Sequence, residues 1–221
     1  IAKEAKPDVL YFADSLGNLS KNKIEIIINI SKKIWNKPIG FHFHDNMSRA
    51  LENSLFCIEN GVEYIDSTVC GMGRGPGNLK TEYIINEIKS FIRPEKKLKV
   101  LQNLINNYFS DLKNKYSWGT NIYYYLSGKY SIHPTYVQQM LSDNRYDTEE
   151  IFLAINNLKK NGGKKYNPNT ILGANNFFKN KISGVIKKPH FLKNKEVLVL
   201  GPGPNLEINK YEVVNFIKQN N

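Results

Sequence analysis

The stretch Ile39-Gly40-Phe41-His42-Phe43-His44-Asp45-Asn46 decides how we interpret this chain. Successive side chains of a strand point to opposite faces, so His42 and His44 share one face. Phe41 and Phe43 then point to the other face, where they can pack in a core. Two neighbouring imidazoles backed by apolar residues are typical of ligands to a divalent metal. A half-exposed strand that carries two unrelated histidines is the alternative, but the chain has only four histidines.

Around this stretch, apolar runs of strand length alternate with amphipathic segments of helical length. Residues 8–15 form an apolar run that we expect to be buried on both faces. The first helix follows Ser20, with an apolar stripe of Ile24, Ile27, Ile28 and Ile30. We predict strands at 8–15, around 39–46 and at 64–69, and helices at 21–35, 48–59 and 79–92. Such alternation gives a parallel sheet, and its polar residues lie at the C-terminal ends of strands, where active sites sit.

The remainder of the chain is mainly helical. From residue 96 to residue 158 one stripe consists of Leu98, Leu101, Leu104, Ile105, Tyr108 and Leu112. A buried strand at 197–200, a Gly-Pro-Gly-Pro turn and a helix at 206–218 indicate the start of a second α/β domain. We therefore divide the chain into a barrel part (1–94), a helical extension (95–172), a linker (173–195) and the start of that second domain (196–221).

The composition of the chain indicates its cellular compartment and excludes some classes of binding partner. The 221 residues carry a net charge of +11, but their lysines are scattered, which indicates a solvated surface and not a nucleic-acid partner. Cys57 and Cys70 fit neither a disulfide framework nor a zinc motif, and they favour the reducing cytoplasm. No apolar run approaches the roughly 20 residues that cross a bilayer, so we expect no membrane partner. Homo-oligomerisation is left open. Because the sequence opens at Ile1, without an initiator Met, we expect a segment of a longer protein.

Three motifs in fixed order resemble one enzyme superfamily. They are Ala-Asp-Ser-Leu-Gly at 13–17, the histidine stretch at 40–46, and Asp66-Ser67 leading to Gly-Met-Gly-Arg-Gly-Pro-Gly-Asn at 71–78. Together they resemble the metal-dependent aldolases and acyl-CoA lyases on TIM barrels. That superfamily includes 4-hydroxy-2-oxovalerate aldolase, hydroxymethylglutaryl-CoA lyase and isopropylmalate synthase. The resemblance covers roughly residues 5–130 and is nearest to the 4-hydroxy-2-oxovalerate aldolase branch.

The resemblance implies a fold, a cofactor and a set of roles. The fold is α/β, with the three strands as the C-terminal βα units of a TIM (β/α)8 barrel. A divalent metal, Mn²⁺ or Mg²⁺ before Zn²⁺, and a small 2-oxo acid substrate would bind at the strands' C-terminal ends. The implied metal ligands are His42, His44 and Asn78, and the implied catalytic residues are Asp14 and Tyr123. The implied substrate-binding residues are Ser15, Gly71, Gly73, Gly75 and Gly77.

One departure from the superfamily pattern is large. Its first strand carries Arg-Asp-Gly, which supplies a third metal ligand, and this chain has no such motif. We expect the missing N-terminal barrel half to be a necessary partner, without which the segment binds metal weakly and turns nothing over. The leading interpretation is the C-terminal part of an aldolase that cleaves or forms a 4-hydroxy-2-oxo acid. A Claisen-type acyl-CoA lyase or synthase, and a non-catalytic scaffold or regulatory module, are the alternatives.

Several candidate residues also have a structural interpretation. Asp14 could be a turn or helix-entry residue, and Tyr123 could pack in an aromatic cluster in which Tyr124 and Tyr125 leave its register open. Asp45 fits a helix cap better than a metal ligand. His133 precedes a proline and fits an ordered turn better than a catalytic base.

Overall fold

The structure, a computed structural model, describes residues 7–88, 94–172 and 210–219. The strands are β1 (Leu10–Asp14), β2 (Ile39–Phe43) and β3 (Tyr64–Ile65). The first helices are α1 (Lys21–Ile34), α2 (Ala50–Glu59) and α3 (Thr81–Glu87). They are followed by α4 (Pro94–Leu104), α5 (Ser110–Tyr116), α6 (Ile122–Lys129), α7 (Pro134–Leu141), α8 (Thr148–Asn161), α9 (Pro168–Leu172) and α10 (Lys210–Gln219).

The three strands form a parallel sheet in the order β1-β2-β3. Because parallel neighbours need crossover connections, α1 and α2 join the strands, as the alternating pattern predicts. Ala13 pairs with His42 and Asp14 pairs with Phe43. This register places His42 on one face of the sheet with Ala13 and Gly40, and places Phe43 on the opposite, helix-covered face.

The helix-covered face contains the first core. Its buried members are Ile24, Ile28, Ile39, Phe41, Phe43, Ala50, Cys57, Val62, Leu79 and Ile84. The prediction that Ile30 belongs to the stripe of α1 is wrong, because Ile30 lies off the face formed by Ile24, Ile28 and Ser31 and is 54% exposed. The prediction that the first strand is buried on both faces is also wrong, because Tyr11 of the edge strand β1 is 43% exposed.

The third strand is shorter than the predicted 64–69. After Ile65 the chain leaves the sheet, and a 3-10 turn occupies Val69–Gly71. Cys70 has a φ of 56°, which a continuing strand cannot accommodate. Thr68 instead pairs with Lys80 from the segment that returns after the glycine loop. This returning segment, residues 77–80, lies beside the C-terminal end of β2, since Leu79 donates its N–H to the Phe43 carbonyl.

The helical region has a second core, shared by α6, α7 and α8. Its buried members are Tyr124, Ile132, Tyr136, Val137, Met140, Ile151, Ala154, Ile155 and Leu158. The stripe predicted from Leu98 to Leu112 does not form one buried face: Ile105 is buried, whereas Tyr108 is 62% exposed. A π-helical turn at Ile105–Phe109 changes the angular spacing of the side chains, which a regular helical repeat does not anticipate.

The chain forms two compact units, residues 1–180 and 181–221. The helical region therefore belongs to the same unit as the sheet. Of the second unit, the structure describes the helix α10. The predicted strand at 197–200 and its turn lie outside the described residues. Within the described parts of the chain, no helix has the length and apolar character needed to cross a membrane.

Candidate functional site

His42 and His44 lie side by side at the C-terminal end of β2, with ring centroids 4.9 Å apart. The Nδ1 atom of His44 is 2.8 Å from the main-chain oxygen of Asp14, which can only accept a hydrogen bond. The Nδ1 atom of His42 is 3.2 Å from a carboxylate oxygen of Asp66. With the proton of each neutral ring on Nδ1, each Nε2 has a free lone pair. This is how metal-binding histidines are usually oriented.

The returning segment brings Asn78 to the same place. Leu79 donates its N–H to the Phe43 carbonyl at 3.3 Å, and His44 and Asn78 form an antiparallel bridge. The side-chain nitrogen of Asn78 donates to the Met72 carbonyl at 3.2 Å. Its side-chain oxygen is buried and has no hydrogen-bond partner among the residues that the structure describes. An unpaired buried carbonyl oxygen calls for an explanation, and an oxygen ligand to a cation is one.

These donors fit part of the coordination shell of a divalent metal. Two imidazole nitrogens and one amide oxygen suit a metal of the Mn²⁺, Mg²⁺ or Zn²⁺ group. Within residues 7–88, 94–172 and 210–219, no group of three His, Cys, Asp or Glu side chains converges as a ready metal cluster. The described residues therefore supply only some of the ligands that a metal would need.

Asp14 is placed differently from its predicted catalytic role. Its carboxylate is 4% exposed and accepts hydrogen bonds from the N–H groups of Asn18 (3.1 Å) and Leu19 (2.9 Å). Because Asp14 pairs with Phe43, its side chain points to the face of the sheet opposite His42. The Asp14 carboxylate therefore acts as a turn residue, as the structural interpretation expects. Asp14 contributes to the histidine pair through its main-chain oxygen, which orients His44.

The glycine loop, residues 71–77, packs too tightly for side chains at two positions. A Cβ on Gly77 would lie 2.5 Å from the Gly71 oxygen, and Gly77 has a φ of 77°. A Cβ on Gly73 would lie 2.6 Å from the Asn78 side-chain nitrogen. Of the predicted substrate-binding N–H groups, Gly71 instead donates to the Thr68 carbonyl and Gly77 to the Arg74 carbonyl. Gly75 lines a cavity next to the loop.

A cavity of about 220 Å³ lies beside the glycine loop. Its polar lining consists of Ser15, His44, Arg74, His133, Thr135 and Gln138. Ser15 is therefore at a ligand-sized cavity, as predicted. Arg74 was not predicted as a site residue, and His133 was predicted to be a turn residue. The only sequence signals were a cation inside a glycine loop and a histidine before a proline.

His133 has both a structural contact and a place in the cavity. It precedes α7, and its Nδ1 accepts a hydrogen bond from the Thr135 N–H at 3.3 Å, so it caps the helix as the turn interpretation predicts. Burial lowers the pKa of His133, and the nearby positive charge of Arg74 and the ring of His44 lower it further. The ring is thus held neutral beside the cavity, with its proton on Nε2.

The structure does not bring Tyr123 to the loop. Its ring packs against Phe152, with centroids 5.2 Å apart, in the second core. Its neighbour Tyr124 reaches the loop instead, since a Cβ on Gly75 would lie 3.3 Å from the Tyr124 hydroxyl. Consecutive helical residues point in directions about 100° apart, so only one of them can face the loop. Burial raises the pKa of Tyr124, although Arg74 partly offsets this.

Comparison with known proteins shows which proteins this chain is similar to. Residues 1–104 match the family model HMGL-like. This part of the chain, a little under half of its length, is similar to that family. A 4-hydroxy-2-oxovalerate aldolase from Geobacillus genomosp. 3 is 42% identical over 79 residues, which cover 35% of this chain and 23% of that enzyme. A candidate (R)-citramalate synthase from Archaeoglobus fulgidus is 37% identical over 84 residues, covering 38% of this chain and 17% of that protein.

A solved structure is similar to a larger share of this chain than the family model is. The crystal structure of the N-terminal domain of a candidate aldolase from Bacteroides vulgatus has a TM-score of 0.57 and 34% identity. The alignment covers 69% of this chain and 50% of that one. The predicted resemblance and the predicted α/β barrel-type fold are thereby confirmed. The chain matches about a quarter of the length of the curated 4-hydroxy-2-oxovalerate aldolases.

Proposed function

We propose that this chain is the part of a divalent-metal-dependent aldolase that carries two histidine ligands and the wall of the substrate cavity. The reaction is the cleavage or formation of a 4-hydroxy-2-oxo acid. One observation carries the proposal, the arrangement of three side chains. His42 and His44 lie side by side, and the Nδ1 of each is held by a hydrogen-bond acceptor. Asn78, which has an unpaired side-chain oxygen, is bridged to His44 through the main chain.

The residues of this chain have distinct tasks in that reaction. His42, His44 and Asn78 would hold the metal, which when bound supplies the Lewis-acid charge that stabilises an enolate. Asp66 and the main chain of Asp14 orient the two imidazoles. The glycine loop keeps Asn78 beside His44 through the bridge and through the close contact at Gly73.

The bond changes balance without any further reactant. In cleavage, the C4 hydroxyl loses its proton, the C3–C4 bond breaks, and its electron pair stays on the pyruvate half, which then takes a proton at C3. In condensation, the aldehyde oxygen must gain a proton. His133 lines the cavity with its Nδ1 occupied, so its Nε2 proton is the one that it can donate to that oxygen.

Within this proposal, the chain contributes an incomplete metal shell. Its described residues offer two imidazoles and one amide, and no group of three His, Cys, Asp or Glu side chains converges among them. We therefore expect weak binding of metal by the 221-residue chain and turnover only when further barrel strands complete the shell. Both cysteines are free thiols, which fits a cytoplasmic enzyme.

A titration of the chain with Mn²⁺, followed by electron paramagnetic resonance, tests the proposal. We expect binding that is lost in His42→Ala and His44→Ala and retained in His133→Ala, which removes an equivalent imidazole outside the ligand set. We also expect pyruvate to increase the Mn²⁺ affinity. If none of the four proteins binds Mn²⁺, or if His42→Ala binds as well as the parent chain, the proposal is wrong.

The Claisen-type reaction is the second candidate, because the similarity to a candidate citramalate synthase is of comparable strength. It requires acetyl-CoA and releases a free thiol. Assaying the chain in its completed form with acetyl-CoA and pyruvate distinguishes the two reactions. Thiol release would favour the Claisen reaction, and pyruvate release from a 4-hydroxy-2-oxo acid would favour the aldolase.

A further inference from the structure

We propose that the end of the substrate that lies away from the metal carries an anionic group, a carboxylate or a phosphate, and that Arg74 binds it. This inference rests on the proposed function, because it places the 2-oxo acid end of the substrate at His42 and His44. It specifies the substrate class: the aldehyde half is charged and is not a simple alkyl aldehyde.

The position of the cavity gives the first argument. His44 belongs both to the histidine pair and to the lining of the 220 Å³ cavity, so a ligand held at the pair extends into that cavity. A water molecule takes about 30 Å³ of liquid volume, so the cavity has room for a group of several non-hydrogen atoms. A methyl group alone would leave much of this space to solvent.

The charge of the lining gives the second argument. Arg74 is the only residue with a permanent charge among those that line the cavity, and none of the lining residues is acidic. In the part of the chain that the structure describes, no carboxylate forms an ion pair with Arg74. By contrast, Arg145 is paired with Asp143 at 2.6 Å. A cation without a protein counter-ion, beside a ligand-sized cavity, favours an anionic ligand.

The way Arg74 is held gives the third argument. Its Nε donates a 2.6 Å hydrogen bond to the side-chain oxygen of Gln138 on α7. This contact uses one edge of the guanidinium and fixes the group against the cavity wall. Within the described residues no hydrogen bond of its terminal nitrogens is found, and these nitrogens can donate two parallel hydrogen bonds to a carboxylate or phosphate. Gln138 is thus a positioning residue, and Arg74 is the residue that contacts the ligand.

Calorimetry with matched ligands that cannot be cleaved tests this inference. The full chain, in excess Mn²⁺, is titrated with 2-oxopentanoate, 2-oxopentanedioate and 2-oxo-4-phosphonobutanoate, which differ only in their distal methyl, carboxylate or phosphonate group. We expect at least one of the dianions to bind about ten-fold more tightly than 2-oxopentanoate, since hydrogen bonds between charged groups are among the strong ones. Whichever dianion binds more tightly identifies the anionic group.

Variants separate a specific contact from general charge. Arg74→Met should reduce the preference for the dianion to about two-fold or less, and Arg74→Lys should leave an intermediate preference. Arg49→Met removes the same charge from an exposed position outside the cavity and should leave the preference unchanged. Equal affinity for all three ligands in the parent chain, or an unchanged preference in Arg74→Met, would overturn the inference while the proposed function stands. If even pyruvate fails to bind with Mn²⁺, the proposed function is wrong and the inference falls with it.

Discussion

Replacing Gly73 by alanine should weaken metal binding without unfolding the protein. The added Cβ would lie 2.6 Å from the side-chain nitrogen of Asn78 and 3.0 Å from its Cγ, so the amide must move. The backbone of Gly73 is outside the left-handed region, unlike that of Gly77, and alanine introduces no strain of its own. The consequence is therefore confined to the position of one proposed ligand.

The expected magnitudes follow from the contacts. Displacing Asn78 breaks its hydrogen bond to the Met72 carbonyl, which is worth about 0.5–1.5 kcal/mol. Replacing glycine by alanine stabilises by about 0.4–1 kcal/mol through the unfolded chain. These terms oppose each other, so the free energy of unfolding should change by less than about 1 kcal/mol. Misplacing a group of a metal site typically costs about 10- to 100-fold in metal affinity, and we expect a loss in that range.

The assay is a Mn²⁺ titration of four proteins, with urea unfolding in the presence of a chelator as the control. The proteins are the parent chain, Gly73→Ala, Asn78→Ala and the double variant. If Gly73→Ala acts through Asn78, the double variant should bind Mn²⁺ no more weakly than Asn78→Ala alone. Additive losses, or an unchanged affinity in Gly73→Ala beside a reduced affinity in Asn78→Ala, would refute the reasoning.

Three further predictions concern separate parts of the molecule. Burial and the charge of Arg74 lower the pKa of His133, so the pKa measured by NMR titration should rise towards the ordinary histidine value in Arg74→Met. An unchanged pKa would mean that the two groups are too far apart to interact. In the parent chain, a lowered folded-state pKa means that the unfolded chain binds more protons, so His133 should reduce stability as pH falls through the ordinary value and below it. Burial raises the pKa of Cys57 to about 12, so a thiol reagent should label Cys70 in the native protein and Cys57 only after unfolding, as mass spectrometry can check. Asp147 caps α8 in a capping box, and Asp147→Ala should lower the free energy of unfolding by about 1 kcal/mol in a urea titration, whereas Asp147→Asn should lose less.

The sheet and the histidine pair were predictable because they depend on local periodicity. A period of two places His42 and His44 on one face whatever the rest of the chain does. The Asp45 carboxylate accepts the N–H of Ala50, the first residue of α2, at 3.0 Å, although Arg49 occupies the N-cap position. Such features are determined within one element or within the turn beside it.

The sequence-based predictions fail where the position of a residue depends on contacts between distant elements. The face on which Asp14 lies is set by its pairing with Phe43, and the sequence of β1 alone does not reveal that register. Asn46 follows β2 directly, yet it is fully buried and donates to Ser127 of α6, 81 positions away in the sequence. Arg74 becomes a site residue only because α7 brings Gln138 to the glycine loop across 64 positions of sequence.

Contacts between distant elements also explain why Tyr123 was predicted at the site, whereas Tyr124 lies at the glycine loop. Both Tyr123 and Tyr124 are on α6, and which of them faces the glycine loop depends on how the connection before α6 docks. That connection is fixed by the Gly119 N–H, which donates to the Gly75 carbonyl at 2.9 Å, and by the Trp118 indole, which donates to the Cys70 carbonyl at 3.0 Å. Neither contact has a signature in the sequence.

The central claim is that His42 and His44 present free Nε2 atoms to a metal, and nitrogen NMR of ¹⁵N-histidine-labelled chain tests it most directly. Without metal, we predict that both rings carry their proton on Nδ1, whereas His133 carries its proton on Nε2. On addition of Zn²⁺, the Nε2 resonances of His42 and His44 should shift together while those of His133 remain in place. Protonated Nε2 atoms in both rings before metal, or shifts confined to other histidines after it, would contradict the account.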